Sequence, residues 1–463
     1  MQTAALLAVL GLVTPAQEES SPPVRRPSVL LIVADDLGYG DVGCFGGDVP
    51  TPHIDSIAAE GARLTDWYVA SPVCTPSRYS LLTGRYPQRA QGGLDRVLMT
   101  FDAAHDARGL TAEEETLAAR LKRAGYATAL IGKWHLGHGE ARHWPTRHGF
   151  QSFYGAIGGC TDYYTHRYAH VPLWYRDEEP LAETGYSTDL LSAEAERFLR
   201  SRGGDEPFFL LLSYLAPHYG KSIAGEVEGE EHTLITSPFG AARTDPRTGR
   251  SIQPVNTLQV LPSDLAAFAH VADEKRRYYC AMVKALDDGV GRVLAALEEA
   301  GLERDTLVLF TADNGADRTA SSAGSSGLLR GGKHSLWEGG IRVPAALRWP
   351  TRVPPGTVLG QPASTLDLFP TLCALAGVAV DDLPLDGIDL GPALLGGEEI
   401  ERDLYWRHGS KRALRRGRWK LLGGELYDLA EDPGEERDLS AAHPERVAEL
   451  AAARDAVGES LAR

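Results

Sequence analysis

The sequence lacks three features that would each narrow its function. Its five cysteines form no close pair, so it contains no zinc or redox motif. It has no internal apolar run long enough to span a membrane. It also lacks a net positive charge, since it has 47 Lys and Arg and 63 Asp and Glu, which gives a net charge of −16. This balance argues against nucleic acid or an anionic membrane as a partner, although a local basic cluster can still bind an anionic substrate.

The composition is that of a large globular protein. The 463 residues are 43% hydrophobic and 24% charged, which indicates neither a disordered nor a fibrous chain. At this length we expect one large domain and one smaller domain.

Residues 1–20 predict an export signal and thus a periplasmic or secreted protein. An apolar core from Ala4 to Val13 precedes the small residues Thr14 and Ala16, which fit a cleavage site. The early region has no Lys or Arg, and a buried N-terminal helix is the alternative.

Four apolar runs predict buried β-strands, and polar residues follow each run. The runs and the residues that follow them are Ser28 to Ala34 with Asp35 and Asp36, Tyr126 to Ile131 with Lys133 and His135, Glu206 to Pro217 with His218, and Asp305 to Ala312 with Asp313 and Asn314. Ligands of open α/β sheets bind at the carboxyl ends of the strands, so we expect these side chains to converge at one edge of a mostly parallel sheet.

Each of these groups also has an ordinary interpretation. Asp35 and Asp36 can form a solvated turn, although adjacent carboxylates at the end of a buried strand repel each other and a cation is the simplest remedy. Asp-Asn-Gly at 313–315 is a common turn signal. Lys133 and His135, two apart in extended chain, face the same side but can be loop residues. His218 can shuttle a proton or serve as a structural histidine.

The segment Ser71 to Arg89, SPVCTPSRYSLLTGRYPQR, pairs Cys74 with Arg78. Proline suits a first helical position, so Pro76 predicts that Cys74 lies just before a helix N-terminus, where backbone N–H groups favour an anion. Arg78, one turn later, would point to the same place. A bare Cys-x-x-x-Arg is also ordinary sequence.

Taken together, the motifs resemble those of the sulfatases. The matching segments are DDLGYGDVGCFGG from Asp35, PTPHIDSIAAEG from Pro50, CTPSR and LLTGR from Cys74, GKWHLG from Gly132, DNG from Asp313, and GGKHSLWEGGIRVP from Gly331, which contains Lys333. Within that family, arylsulfatases and N-acetylgalactosamine-6-sulfatases are the similar members. One departure is Pro217-His218-Tyr219-Gly220, where sulfatases commonly have a proline two residues after the histidine.

The resemblance implies an alkaline-phosphatase-like α/β fold, with a large mostly parallel sheet flanked by helices and a small C-terminal subdomain of antiparallel sheet plus helix. We predict the catalytic domain at 27–398 and the subdomain at 399–463. In the latter, Arg407 to Leu422 and Glu425 to Leu429 predict strands, and Pro444 to Leu461 predicts a helix. Earlier helices are predicted at Pro52 to Gly61, Glu114 to Ala124 and Asp273 to Ala300.

The resemblance also implies a cofactor set. A formylglycine-generating or other maturation enzyme would convert Cys74 to Cα-formylglycine, whose hydrate attacks sulfur. The implied ligands of a divalent cation are Asp35, Asp36, Cys74, Asp313 and Asn314. Because these donors are mostly oxygen, Ca²⁺ is favoured over Mg²⁺.

The remaining implied roles concern charge and proton transfer. Arg78 and Lys133 would stabilise the hydrate and the developing charge, and Lys333 would contact the sulfate. His218 would protonate the leaving alcohol. His135 would deprotonate the second hydroxyl, which expels sulfate.

The expected activity is hydrolysis of a sulfate monoester, of a carbohydrate or alternatively of an aryl alcohol. A phosphate or phosphonate ester hydrolase on the same scaffold and a non-catalytic relative that binds sulfated glycans remain alternatives. We expect specificity to reside in residues 158–175 and 219–262. The first segment has aromatic residues that can stack on a sugar or simply pack: Tyr163, Tyr164, Tyr168, Trp174 and Tyr175. The second predicts a substrate-shaping lid or a disordered insertion.

We expect structural roles, rather than catalytic ones, for three further sets of residues. The histidines His138, His143 and His148 are expected at the surface or in loops. Asp287 and Asp288 are expected to be solvated or bonded to N–H groups. If Cys74 is used chemically, Cys44, Cys160, Cys280 and Cys373 form either disulfides, with three possible pairings, or free thiols.

Overall fold

The computed structural model describes residues 26–461, except 101–106, 204–205, 245–248 and 250. The predicted export signal therefore lies outside the described residues. In chain order the strands are β1 Ser28–Ala34, β2 Ala62–Leu64, β3 Trp67–Tyr68, β4 Ala127–Gly132, β5 Ser152–Ala156, β6 Arg167–Tyr168, β7 Val171–Pro172, β8 Trp174–Arg176, β9 Glu179–Pro180, β10 Phe208–Ser213, β11 Gly220–Ile223, β12 Thr233–Pro238, β13 Arg243–Thr244, β14 Ser251–Ile252, β15 Pro254–Gln259, β16 Thr306–Ala312, β17 Ala345–Arg348, β18 Thr357–Leu359, β19 Ala363–Ser364, β20 Asp403–His408, β21 Lys411–Arg416, β22 Trp419–Leu422 and β23 Glu425–Asp428. The α-helices are Pro52–Ala59, Cys74–Thr83, Leu117–Arg123, Ser187–Arg200, Ala224–Val227, Pro262–Ala267, Glu274–Glu299, Glu338–Ile341, Leu368–Leu375, Gly391–Gly396 and Pro444–Ser460.

A ten-stranded sheet forms the centre of the molecule, in the order β18-β2-β17-β16-β1-β10-β4-β5-β8-β9. The five strands from β16 to β5 run parallel, and antiparallel strands flank them on both sides. The sheet is therefore mixed with a parallel centre, and the predicted α/β fold is confirmed.

The four predicted apolar strands are neighbours, and they end level with one another. Ala34 of β1 pairs with Ala312 of β16, and Val33 pairs with Ser213 of β10. Ser213 in turn pairs with Gly132 of β4. Since all four strands run in one direction, the polar residues that follow them meet at one edge of the sheet, as predicted.

Helices cover the sheet, and the longest of them, Glu274–Glu299, packs along Ser187–Arg200 and near the start of Pro52–Ala59. Asp287 is buried there and accepts N–H bonds from His53 and Ile54 at 3.1 and 2.8 Å. The first N–H groups of a helix have no partner within the helix, so a carboxylate stabilises this end. The prediction of an N–H-bonded Asp287 is confirmed.

One local prediction is wrong, and a second holds only for the loop position of two histidines. The helix that was expected to start at Pro76 begins at Cys74, so the cysteine lies in its first turn. A proline at the third helical position is tolerated because that N–H has no acceptor in the helix. His143 and His148 lie in short 3₁₀ loops but are buried, and their ring nitrogens bond to the carbonyls of Leu110 and Arg142.

The segment 219–262 is folded over its described residues, so the disordered alternative is wrong there. Strands β11, β15 and β12 form a small antiparallel sheet, and β13 pairs with β14. The sequence of this segment does not indicate these strands, because its Gly- and Thr-rich residues show no clear alternation of apolar and polar positions.

All five cysteines are free thiols in the structure, which agrees with the thiol alternative. Within the described residues, no helix combines the length and the apolar character needed to cross a membrane.

The C-terminal region forms a four-stranded antiparallel sheet, β20 to β23, with the helix Pro444–Ser460 packed against it. The short strands predicted between Arg407 and Leu422 are the end of β20, β21 and β22, which glycines separate by tight turns. Gly409 and Gly417 adopt φ of 58° and 55°, a left-handed conformation that suits glycine. The boundary between residues 398 and 399 stays a prediction.

A buried cluster of charges joins this sheet to the rest of the chain. Lys420 Nζ lies 2.9 Å from Glu338 Oε1 and 2.7 Å from Glu435 Oε1, and all three side chains are fully buried. Tyr68 donates a hydrogen bond to the other oxygen of Glu338 at 2.5 Å. Burial, and then the nearby Glu338, raises the pKa of Glu435 to about 7 even though Lys420 opposes the shift. Lys420 thus contacts both carboxylates, and Arg342 Nη1 lies 3.5 Å from the other oxygen of Glu338.

We predict that Lys420→Met lowers the free energy of unfolding by about 3–5 kcal/mol, because it removes the cation that contacts both of these buried carboxylates. Chemical denaturation of the variant and of the exposed-site control Lys411→Met measures this. Adding Glu435→Gln to Lys420→Met should recover part of the loss. A Lys420→Met protein as stable as the control would contradict the assignment.

Candidate active site

The strand ends form a cluster of three buried carboxylates. Asp35, Asp36 and Asp313 are each 0% exposed, and Asn314 beside them is also fully buried. The backbone N–H of Asp36 donates to Asp313 Oδ1 at 3.2 Å, and Asn314 Nδ2 donates to Asp36 Oδ1 at 2.7 Å. Asp36 has φ of 64°, an uncommon conformation for a residue other than glycine, which turns it back into the cluster.

Three cations surround these carboxylates. Lys133 Nζ lies 2.5 Å from Asp35 Oδ2, and Lys333 Nζ lies 2.8 Å from the Asp36 carboxylate. Arg78 Nε donates to Asp313 Oδ2 at 2.9 Å. The cations come from three separate segments of the chain, so they hold the strand ends together as well as balancing their charge.

Arg78 is also anchored by groups that the sequence interpretation missed. Its Nη1 donates to Ser213 Oγ at 2.6 Å and to the carbonyl of Lys133 at 3.2 Å. Ser213 is the last residue of β10, so its place at a strand end was the available signal. These contacts fix the guanidinium one turn into the helix that begins at Cys74.

Charge and burial shift the pKa values of the cluster in opposite directions. Burial, and then Asp313, raises the pKa of Asp35 well above its usual range, although Lys133 opposes this. Burial acts on Asp36 in the same sense, but Lys333 and His218 outweigh it and hold its pKa below the ordinary value. Burial also raises the pKa of the Cys74 thiol, partly offset by Lys133 and Lys333. An unmodified Cys74 is therefore a poor thiolate nucleophile.

His135 has one ring nitrogen in a hydrogen bond and one without a partner among the described residues. Its Nε2 lies 2.9 Å from the carbonyl oxygen of Leu98 and must therefore carry the proton that it donates. Its buried Nδ1 has no hydrogen-bond partner among the described residues, so a lone pair is available. Burial, and then Lys133, lowers the pKa of His135 well below its usual value, which keeps the ring neutral.

His218 lies on the other side of Asp36. Its Nδ1 lies 2.7 Å from the carbonyl of Tyr219, and its Nε2 lies 3.5 Å from Asp36 Oδ2. Burial lowers the pKa of His218 well below the usual value, and Lys333 adds to this effect while Asp36 opposes it. An incoming anion would favour the protonated ring.

The carboxylate cluster fits a divalent cation. Asp35 Oδ1 and Asn314 Oδ1 are buried acceptors without a hydrogen-bond donor among the described residues, whereas buried polar atoms normally have one. Donor atoms of Asp35, Asp36 and His218 lie within 4.8 Å of one another. Oxygen donors of this kind suit a hard cation such as Ca²⁺ or Mg²⁺. A second cluster, His53 with Asp287 and Asp288, lies at the helix start described above, where Asp287 accepts the backbone N–H bonds.

A cavity of about 260 Å³ opens onto this cluster. Cys74, His135, His218 and Lys333 line it together with ten further residues. Those residues are Val97, Leu98, Met99, Thr100, Gly159, Cys160, Tyr168, Tyr219, Lys221 and His334. The structure thus brings the predicted catalytic side chains to one place, and it adds a wall from 219–262.

The predicted aromatic residues divide between packing and the cavity. Tyr163 and Trp174 are 1% exposed, and the Tyr163 hydroxyl donates to the carbonyl of His218. Tyr164 donates to the carbonyl of Val260, and Tyr175 packs against Trp144. Of the five, Tyr168 lines the cavity.

Comparison with known proteins agrees with this geometry. A model of the sulfatase family matches residues 27–378. The chain is 33% identical over 476 residues to arylsulfatase A of Homo sapiens, covering 90% of this chain and 83% of that protein. It is 32% identical over 564 residues to steryl-sulfatase of Mus musculus, covering 95% and 83%. It is 33% identical over 418 residues to N-acetylgalactosamine-6-sulfatase of Canis lupus familiaris, covering 86% and 71%.

Solved structures of similar proteins share the fold. Ps i-CgsB, crystallised in complex with k-i-k-neocarrahexaose, has a TM-score of 0.78 and 32% sequence identity, with coverage of 92% of this chain and 91% of that one. The PsFucS1 sulfatase from Pseudoalteromonas sp. has a TM-score of 0.74 and 26% identity, with coverage of 94% and 91%. The chain therefore belongs to the sulfatase family and is a sulfuric ester hydrolase.

Proposed function

We propose that this sulfatase hydrolyses a sulfate monoester of a carbohydrate, using residue 74 in its Cα-formylglycine form and a bound Ca²⁺. The observation that carries the proposal is the junction of Cys74 with three carboxylates and three cations at one buried edge of the sheet. The carbohydrate is favoured because Ps i-CgsB, at 32% identity, was crystallised with an oligosaccharide. Aryl sulfates are the second class of substrate.

The aldehyde hydrate would supply one hydroxyl for attack on sulfur and another for the later release of sulfate. The surrounding residues hold charge and protons for these steps. Arg78 and Lys133 provide positive charge beside residue 74, and Lys333 faces the same cavity. His135 would use its unprotonated Nδ1 as the base. His218 would donate the Nε2 proton to the leaving oxygen once the bound anion favours its doubly protonated ring.

The metal site would use Asp35, Asp36, Asp313, Asn314 and residue 74. A divalent cation there lowers the pKa of a bound hydroxyl and polarises a sulfate oxygen. Ca²⁺ is preferred over Mg²⁺ because the donor set holds three carboxylates and an amide, whereas Mg²⁺ in proteins is usually held by one or two carboxylates.

We further propose that the protein is exported to the periplasm or secreted, on the strength of the apolar segment from Ala4 to Val13 and the small residues after it. Conversion of Cys74 to Cα-formylglycine would require a formylglycine-generating or other maturation enzyme as a partner.

Mass spectrometry of the tryptic peptide that contains Cys74 tests the nucleophile. Protein produced with a formylglycine-generating enzyme should show the mass loss that accompanies conversion of the thiol side chain to an aldehyde. Cys74→Ala should lose sulfatase activity, whereas Cys44→Ala should retain both the modification and the activity. An unmodified thiol at position 74 in fully active protein would overturn the proposal.

Thermal unfolding with and without metal tests the cation site. Ca²⁺ at about 100 times its Kd should stabilise the protein by about 2.7 kcal/mol, since it binds only the folded state, and Mg²⁺ should stabilise it less. Asp313→Asn should abolish the response. The control Asp288→Asn changes a carboxylate outside the cavity and should leave it intact. An equal response from both variants would argue against the assigned ligands.

The dependence of rate on the leaving group tests His218. A poor leaving group such as a sugar hydroxyl needs a proton in the transition state, whereas 4-nitrophenolate needs little help. His218→Asn should therefore lower kcat/KM about 100-fold or more for a sugar or alkyl sulfate, and much less for 4-nitrophenyl sulfate. The exposed control His270→Asn should change neither rate. Equal losses on both substrates would show that His218 is not the acid.

A further inference from the structure

Lys221 is a buried cation at the active-site cavity that has no role in the steps above. It lies on β11 in the segment 219–262, is 2% exposed and lines the same cavity as Cys74 and Lys333. The segment thus delivers a second ammonium group to the place where the substrate must bind.

The surroundings of Lys221 differ from those of the other two lysines. Lys133 and Lys333 each contact a carboxylate, but Lys221 has no carboxylate within 4 Å in the part of the chain that the structure describes. Its Nζ lies 3.2 Å from the centre of the Phe239 ring, and the rings of Tyr219 and Tyr168 lie at 4.8 and 5.9 Å. Aromatic faces attract an ammonium group but do not neutralise its charge.

One amide oxygen holds Lys221 in place. Its Nζ donates to Asn256 Oδ1, and Asn256 lies directly opposite on β15. The amide group of Asn256 donates to Ser237 Oγ at 2.9 Å and to Ser321 Oγ at 2.8 Å, so its oxygen must face the lysine. An ammonium group has three N–H donors, and within the described residues Asn256 accepts one of them.

Burying an ammonium group without an anion is unfavourable, and an anionic ligand that binds beside it would offset that cost. Burial lowers the pKa of Lys221 to about 8, so the charged form still predominates at neutral pH. In the proposed function, Lys333 is the lysine that contacts the ester sulfate. Lys221 is therefore a preformed site for a different negative charge on the same ligand.

We propose that Lys221 binds a second anionic group of the substrate, a sulfate or a carboxylate, next to the sulfate ester that is hydrolysed. The inference rests on the proposed function of the cavity. It restricts the preferred substrate to a polyanionic molecule, such as a sugar that bears two sulfates or a sulfated sugar linked to a uronate.

A matched set of aryl sulfates tests this, with a neutral carboxamide, a carboxylate or a sulfonate as the second ring substituent. The formylglycine-bearing wild type should show higher kcat/KM for the charged members than for the carboxamide, mainly through KM. Lys221→Met should reduce this preference about tenfold or more, as expected for the loss of a charged hydrogen bond. The preferred substituent identifies the anion as carboxylate or sulfate-like.

A second variant guards against a folding defect. Asn256→Asp keeps the size of the side chain and Lys221 itself, but it places a carboxylate against the ammonium group, so the preference should again be lost. The exposed control Lys122→Met should keep it. The pair N-acetylglucosamine 6-sulfate and glucosamine 2-N,6-O-disulfate repeats the comparison on sugars.

The possible failures are distinguishable. If no sulfate ester is turned over by protein that carries the aldehyde, the proposed function itself fails. If the wild type hydrolyses the neutral and charged members equally well, the inference about Lys221 is wrong. It is also wrong if Lys221→Met slows all members by the same factor, since a purely structural role predicts that result.

Discussion

The rest of the structure depends on one constraint: the negative charges of three buried carboxylates must be balanced by nearby cations. Asp35, Asp36 and Asp313 end adjacent parallel strands, and removing their charges from water is costly without nearby cations. The chain supplies Arg78, Lys133 and Lys333 from a helix, a strand end and a distant loop. The same contacts that make the site chemically useful therefore also position the helix that carries Cys74.

The sequence predicts this edge of the sheet well because the relevant signals are local. The four apolar runs are long enough to be recognised without knowledge of tertiary contacts, and parallel pairing brings their ends together. The convergence of Asp35, Lys133, His218 and Asp313 follows from that rule, whereas the order of the strands is known from the structure alone. The start of the Cys74 helix was missed by two residues, since proline is tolerated throughout a first helical turn.

The features that could not be predicted depend on contacts between distant segments. The carbonyl of Leu98 sets the protonated nitrogen of His135, and a backbone carbonyl leaves no trace in the side-chain sequence. Lys420, on β22, contacts Glu435 and also Glu338, which lies in a helix much earlier in the chain. Lys221 lies in a segment without clear periodicity, so neither its strand nor its position at the cavity could be derived from spacing.

The three buried lysine side chains at and beside the cavity differ in the groups that they contact. Lys133 and Lys333 are tied to carboxylates at the strand ends, so moving either would disturb the cluster that supports catalysis. Lys221 stands on a small separate sheet and contacts an amide and aromatic rings instead. Its charge can therefore be changed without removing a partner from any carboxylate in the described part of the chain. A substitution of Lys221 would change the selectivity for a second anion, while the carboxylates at the edge of the main sheet would keep their cations.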